Sequence, residues 1–163
     1  MTLPVIIGEA LRKKGLKLAV AESCTGGLLS SMITDIPGSS DYFEGAIVAY
    51  ANDVKAAMLG VKSSTLASYG AVSRKTAGEM AQGARKSFKA DISAAVTGIA
   101  GPGGGTPKKP VGLVFIAVSK GSRTTVKRFL FKGGRKAVKK QSAEAALEML
   151  GTALGIKRSG GVR

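Results

Sequence analysis

The heptad Ala21-Glu22-Ser23-Cys24-Thr25-Gly26-Gly27 sets a hydroxyl beside a thiol where the apolar run Lys17-Leu-Ala-Val-Ala21 gives way to Leu28-Leu-Ser-Ser-Met-Ile33. Either group can attack an electrophilic carbon once a partner takes its proton. The usual partner, an imidazole, is missing, because the 163 residues include no histidine. Lysine is then the main base among the side chains, provided burial, a nearby cation or a helix N-terminus keeps it neutral. Lys55 fits that demand: with Asn52 as an N-cap it falls in the first turn of a short helix, where the dipole disfavours a cation. On spacing alone, a lysine turning into solvent is the simpler reading. Ser23 could equally be an N-cap, and Cys24 either a thiol activated by a helix start or a small buried apolar residue.

Further candidates lie downstream. Arg135 opens the last helix, a placement that suits a phosphate or carboxylate better than the helix itself. The loop from Gly98 to Pro110, with Gly98, Gly101, Gly103, Gly104 and Gly105, could cradle an anion on its backbone. It lacks the Gly-Lys-Ser/Thr of a P-loop and the spacing of a dinucleotide fingerprint. Tyr50 offers a phenol near the same strand ends, or belongs to the core.

The elements that must hold these residues alternate. The pattern predicts a helix over 2–15 ended by Gly15, a strand over 17–22, a helix from about 25 to 34, and a strand from Phe43 to Tyr50. Short helices at 53–59 and 63–69 follow, closed by Gly60 and Gly70, then a longer one capped by Ser73 and running to about Phe88. A strand at 91–97 enters the glycine loop, and strands at 111–119 and 124–131 form a hairpin. The last helix, about 135 to 154, carries Ala143, Leu147, Leu150 and Leu154 on one face. The expected fold class is α/β: a three-layer α/β/α sandwich with a mixed central sheet, one domain over 1–155, and a flexible basic tail from 156. Ligands in such sheets bind beyond the carboxyl ends of strands, which is where Ser23, Tyr50 and Thr97 fall.

Composition narrows the chemistry. One cysteine and no histidine leave no donor set for a transition metal, so neither metal nor cofactor is expected. Net charge is +15, concentrated in the second half. This charge suits nucleic acid or a small anionic substrate. Aromatics at 5%, no tryptophan and no recognised binding motif disfavour nucleic acid as a partner. The apolar N-terminal run precedes its charges and is too short to span a bilayer, so the protein is expected to be cytoplasmic, with no membrane partner.

Taken in order, the heptad, Val48-x-Tyr50-x-Asn52-x-x-Lys55, Leu59-Gly60-Val61, Gly70-Ala71-Val72-Ser73, Thr97-Gly98-Ile99-Ala100-Gly101-Pro102 and Lys109-Pro110-Val111-Gly112 resemble the CinA C-terminal domain family over about residues 5–155. The resemblance implies an amidase that converts nicotinamide mononucleotide to nicotinate mononucleotide and ammonia, a small-molecule nucleotide substrate, and a homo-oligomer as a compatible assembly. It implies Ser23 as nucleophile, Lys55 as its base and Arg135 as a third functional residue, binding phosphate or holding the Lys55 pKa down. Thr25, Gly26 and Gly27 would supply oxyanion donors, with Tyr50, Asn52, Thr97, Gly98, Gly101 and Gly103 near the substrate. The family usually reads Gly-Asp-Arg before the last helix, where this chain has Gly133-Gly134-Arg135. Many relatives add an N-terminal domain similar to molybdopterin-binding proteins, and any pyrophosphatase activity of that domain is expected to be absent here. The rival class is a non-catalytic nucleotide- or nucleic-acid-binding module.

Overall fold

A five-stranded mixed sheet in the order β2-β1-β3-β4-β5 is covered by helices on both faces. The computed structural model describes residues 1–157. In chain order these form α1 (Leu3–Lys14), β1 (Leu18–Glu22), α2 (Leu28–Thr34), a 3₁₀ turn (Ser39–Asp41), β2 (Phe43–Val48), α3 (Asn52–Leu59), α4 (Ser63–Tyr69) and α5 (Arg74–Ser87). Then come β3 (Ile92–Gly98), β4 (Leu113–Lys120), β5 (Arg123–Leu130) and α6 (Arg135–Ala153). Residues 158–163, the greater part of the expected tail, lie outside the described residues. Among those described, no helix is long and apolar enough to cross a membrane.

β1 pairs in parallel with β2 on one side and β3 on the other, while β4 and β5 complete the sheet antiparallel. The chain leaves β1 through α2 to reach β2, then crosses back over α3, α4 and α5 to β3. The two connections part at the carboxyl end of β1, the topological switch point where open sheets leave a crevice. β1 is buried along its whole length, as a strand covered on both faces must be.

Alternation along the central strands makes two unequal cores. Val20, Ala94 and Ile116 face Leu11 of α1, Leu29 of α2 and Leu147 and Leu150 of α6. Their neighbours Ala21, Ala95 and Ala117 face Ala77, Met80, Ala81 and Ala84 of α5, together with Leu59 of α3. Each fully buried leucine is worth about 1.5–3 kcal/mol, so the first face carries more apolar burial. The alanine-rich second face lets α5 approach closely, and α3 with it.

Local chemistry explains the element ends, with two differences from expectation. Gly15 and Gly60 close α1 and α3 in the left-handed region at φ 63° and 65°, and Ser73 Oγ accepts the Thr76 N–H at 3.1 Å to cap α5. However, α2 begins at Leu28 instead of about 25, because Gly26 and Gly27 take φ 58° and 106° and make a turn no helix can include. Asn52 is the first helical residue of α3, with Ala51 in the cap position and no side-chain cap. Lys55 therefore sits at the fourth helical position, its N–H bonded to the Ala51 carbonyl at 3.1 Å. At the outer edge of the sheet, Arg74 of α5 donates to the Val126 carbonyl of β5 at 2.7 Å.

Candidate active site

The turn that carries Ser23 is held from both sides. Ser23 N–H donates to the Val96 carbonyl of β3 at 2.9 Å, and Ala49 N–H donates to the Glu22 carbonyl at 2.8 Å, so residues 22 and 23 are bracketed by both neighbouring strands. Ser23 is 8% exposed. In the turn itself, Gly26 N–H donates to Ser23 O at 3.1 Å and Gly27 N–H to Glu22 Oε1 at 3.2 Å. Both glycine N–H groups are thus already committed. Among the described residues, no other residue accepts the N–H groups of Cys24 and Thr25, the former facing its own thiol.

Lys55 reaches this turn from α3. Its Nζ lies 3.0 Å from Ser23 Oγ and 3.1 Å from the Tyr50 carbonyl, and the residue is 1% exposed. No carboxylate pairs with it among the described residues, and burial lowers its pKa from the usual 10.5. Desolvation penalises the charged form, so the amine is biased towards the neutral state in which it accepts a proton from Ser23 Oγ–H. The first-turn dipole expected from spacing is replaced by a stronger cause, full burial without a counter-ion.

The surroundings of Cys24 disfavour its thiolate. Burial pushes its thiol up to about 11, the opposite of the lowering a helix start would bring. Because α2 starts four residues later, at Leu28, the thiol never gains that field. Iodoacetamide at pH 7.5 is expected to modify the native protein far more slowly than the unfolded chain, read by intact mass. Rapid native labelling would show that the thiol is not held in this environment.

Arg135 bridges two loops across the mouth of the site. It donates to the Gly101 carbonyl at 2.7 Å and to the Tyr50 hydroxyl at 3.0 Å. Thr97 Oγ1 donates to the Ala71 carbonyl at 2.8 Å, so its hydroxyl is spent holding the α4–α5 loop. An open cleft of ≈ 220 Å³ is lined by Ser23, Cys24, Tyr50, Lys55, Ala71, Val72, Thr97, Gly98, Ala100 and Arg135. The structure thus brings Ser23, Lys55, Arg135, Tyr50, Thr97 and Gly98 together around one space. Thr25 is buried with its Oγ1 unpartnered, and Gly101 meets the site through its carbonyl. Gly26, Gly27, Asn52 and Gly103 do not line the cavity.

Ala71 and Val72, part of the Gly70–Ser73 motif, line the site although the sequence reading gives them no role there. Lys139 was missed as well. It is half-buried one turn along α6 from Arg135, and its Nζ lies 3.7 Å from where a Cβ on Gly26 would be. Two cations at i, i+4 without an acid between them repel each other, and an anionic ligand would relieve this.

A serine hydrogen-bonded to a buried lysine thus lies at the switch point of an α/β/α sandwich. The model of the CinA C-terminal domain matches residues 1–154, and the chain belongs to that family. It is similar to a CinA-like protein of Syntrophomonas wolfei, 49% identical over 149 residues, which are 91% of this chain and 36% of that protein. A CinA-like protein of Thermotoga neapolitana is 50% identical over 145 residues, 89% of this chain and 35% of that protein. The chain therefore spans about a third of the length of these relatives. Among solved structures, the competence/damage inducible protein CihA from Agrobacterium tumefaciens superposes with a TM-score of 0.91 at 43% identity, covering 94% of this chain and 93% of that one. A CinA superfamily protein from Klebsiella pneumoniae gives 0.90 at 33% identity, covering 94% and 96%.

Proposed function

We propose that the chain is an amidohydrolase that converts nicotinamide mononucleotide to nicotinate mononucleotide and ammonia. The observation that carries this reading is the 3.0 Å contact between Ser23 Oγ and a Lys55 Nζ that is buried without a counter-ion. Neutral Lys55 takes the Ser23 proton as Oγ attacks the carboxamide carbon. The tetrahedral adduct collapses, the C–N bond breaks, and Lys55 returns the proton to the departing ammonia, leaving an acyl ester on Ser23. Water, deprotonated by the same amine, then hydrolyses the ester.

The developing oxyanion needs donors that no other residue holds, which favours the N–H groups of Cys24 and Thr25 over those of Gly26 and Gly27. The residue after a nucleophile commonly supplies such a donor, and one is worth about 3–4 kcal/mol. The cavity has room for the pyridine carboxamide, and the 5′-phosphate would lie outwards towards Arg135 and Lys139. A cytoplasmic setting fits this substrate. A nucleic-acid-binding module has no structural observation in its favour.

The test is ammonia release from nicotinamide mononucleotide by the wild type, Ser23→Ala and Cys24→Ala. Wild type and Cys24→Ala should turn over, and Ser23→Ala should not. Full activity in Ser23→Ala would sink the serine mechanism, and loss in Cys24→Ala alone would move the nucleophile to the thiol.

A further inference from the structure

Glu22 ends β1 fully buried at 0% exposure, with no cation paired to it among the described residues. Its carboxylate is nevertheless saturated. Oε1 accepts the N–H groups of Gly27 at 3.2 Å and Leu29 at 2.8 Å. Oε2 accepts Ser30 N–H at 3.0 Å and Ser30 Oγ–H at 2.5 Å. All four donors come from the start of α2 or its cap, and that helix has neither a side-chain cap nor an acid in its first turn.

A helix end is normally satisfied locally, by a Ser, Thr, Asp or Asn in the cap position. Here the cap position is Gly27, and the acceptor comes from the far side of the Ser23–Gly26 excursion. The carboxylate therefore closes a ring: the main chain leaves Glu22, passes through the nucleophile, and is tied back to Glu22 by its own side chain. Burying a carboxylate without a cation is costly unless its hydrogen bonds are complete, so this is an expensive cap where a cheap one was available. A local cap would satisfy α2 equally well but leave the turn untethered. The carboxylate makes no hydrogen bond or ion pair with Lys55, since its four donors all belong to the start of α2 or its cap.

We propose that Glu22 is a positioning residue. Its tie to α2 fixes the Ser23–Gly26 turn so that Ser23 Oγ meets Lys55 Nζ while the Cys24 and Thr25 N–H groups stay clear of every other residue and within reach of an anion. The proposal rests on the reading of Ser23 as nucleophile and extends it to the group that holds the turn.

Three variants test it: Glu22→Asp, which keeps the charge but falls short by one methylene; Glu22→Gln, which keeps the reach and one acceptor; and Ser30→Ala, which removes a single donor. Each is assayed for kcat and KM on nicotinamide mononucleotide, for its pH–rate profile, and for amide hydrogen exchange. Glu22→Asp should lose about 100-fold in kcat, the scale of an ångström misplacement, with KM changed by no more than about twofold. Glu22→Gln should recover part of that loss with the midpoint of its pH profile unmoved, and Ser30→Ala should fall between it and wild type. Exchange should rise at residues 24–27 and stay unchanged in β3 and β4.

Unchanged kcat in Glu22→Asp would overturn the proposal. So would a pH midpoint displaced downwards in Glu22→Gln, the sign of a counter-ion to Lys55, or exchange raised across the whole sheet, the sign of a role in folding alone. Should Glu22→Asp not fold, Glu22→Gln and Ser30→Ala carry the same comparison. Should wild type not hydrolyse the nucleotide, the amidase reading falls, and exchange confined to 24–27 still decides whether Glu22 holds the turn.

Discussion

Lys55→Met is expected to abolish ammonia release while raising the thermal midpoint of the protein at neutral pH. As general base and proton donor, Lys55 is asked for about 10⁴-fold of the rate. Its contribution to stability has the opposite sign. Burial lowers its folded pKa below 10.5, so between that lowered value and 10.5 the unfolded chain binds more protons than the folded one. Stability of the wild type then rises with pH across that window, and the burden of the lysine is greatest below it. Methionine has similar length and no charge to desolvate. It gives up two hydrogen bonds, to Ser23 Oγ and the Tyr50 carbonyl, worth about 1 kcal/mol each. Desolvating an unpaired ammonium costs several kcal/mol, so the exchange favours the variant. Calorimetry from pH 7 to 11 reads this directly: the advantage of Lys55→Met should shrink as pH rises and vanish above 10.5. The wild-type rate should rise with pH over the same range, with its midpoint below 10.5. A variant less stable at every pH would show that Lys55 is not strained by burial.

Gly83→Ala should destabilise the protein by about 3 kcal/mol or more, the upper end of the range for overpacking. In an open helix this substitution is favourable by about 1 kcal/mol, so the expected sign is the reverse of intrinsic propensity. The reason is contact: a Cβ on Gly83 would lie 1.8 Å from the carbonyl oxygen of Leu59, the last residue of α3. Neither partner is a flexible side-chain end, so α5 and α3 must separate. For a chain of this size the loss corresponds to a fall of about 6–12 °C in Tm. Because α3 also carries Lys55, kcat should fall in the folded fraction as well. A Tm within a degree of wild type would mean that α3 and α5 are less closely packed than described.

Much of the framework was legible because its causes are local. Gly15 and Gly60 close helices through their own backbone freedom, Ser73 caps through its own hydroxyl, and the near-continuous runs of small and apolar residues in β1 and β3 record burial on both faces. The two misjudged ends have local causes read in the wrong direction. Gly26 and Gly27 read as the opening of a helix, whereas their positive φ values make the turn that precedes it. Asn52 has the chemistry of a cap, but the chain enters α3 one residue earlier. The site itself was legible only in its parts. That Lys55 meets Ser23 across 32 residues depends on how closely α3 rides on α5. That Arg135 joins Gly101 and Tyr50, 34 and 85 residues away, depends on where α6 starts over the sheet. The choice between hydroxyl and thiol stayed open on the residues alone, since it turns on the burial of Cys24.

The bond from Arg74 to the Val126 carbonyl bears on what the sheet does when molecules crowd together. β5 is an edge strand of the sheet, and such edges recruit strands from other molecules. Here a guanidinium already holds a main-chain acceptor that an incoming strand would use, and Arg128 adds exposed positive charge along the same strand. A second copy carries the same surplus of charge, so it meets repulsion before it can register. The arginine that opens α5 thus also acts as a stop on the growth of the sheet, one that concentrated salt would weaken.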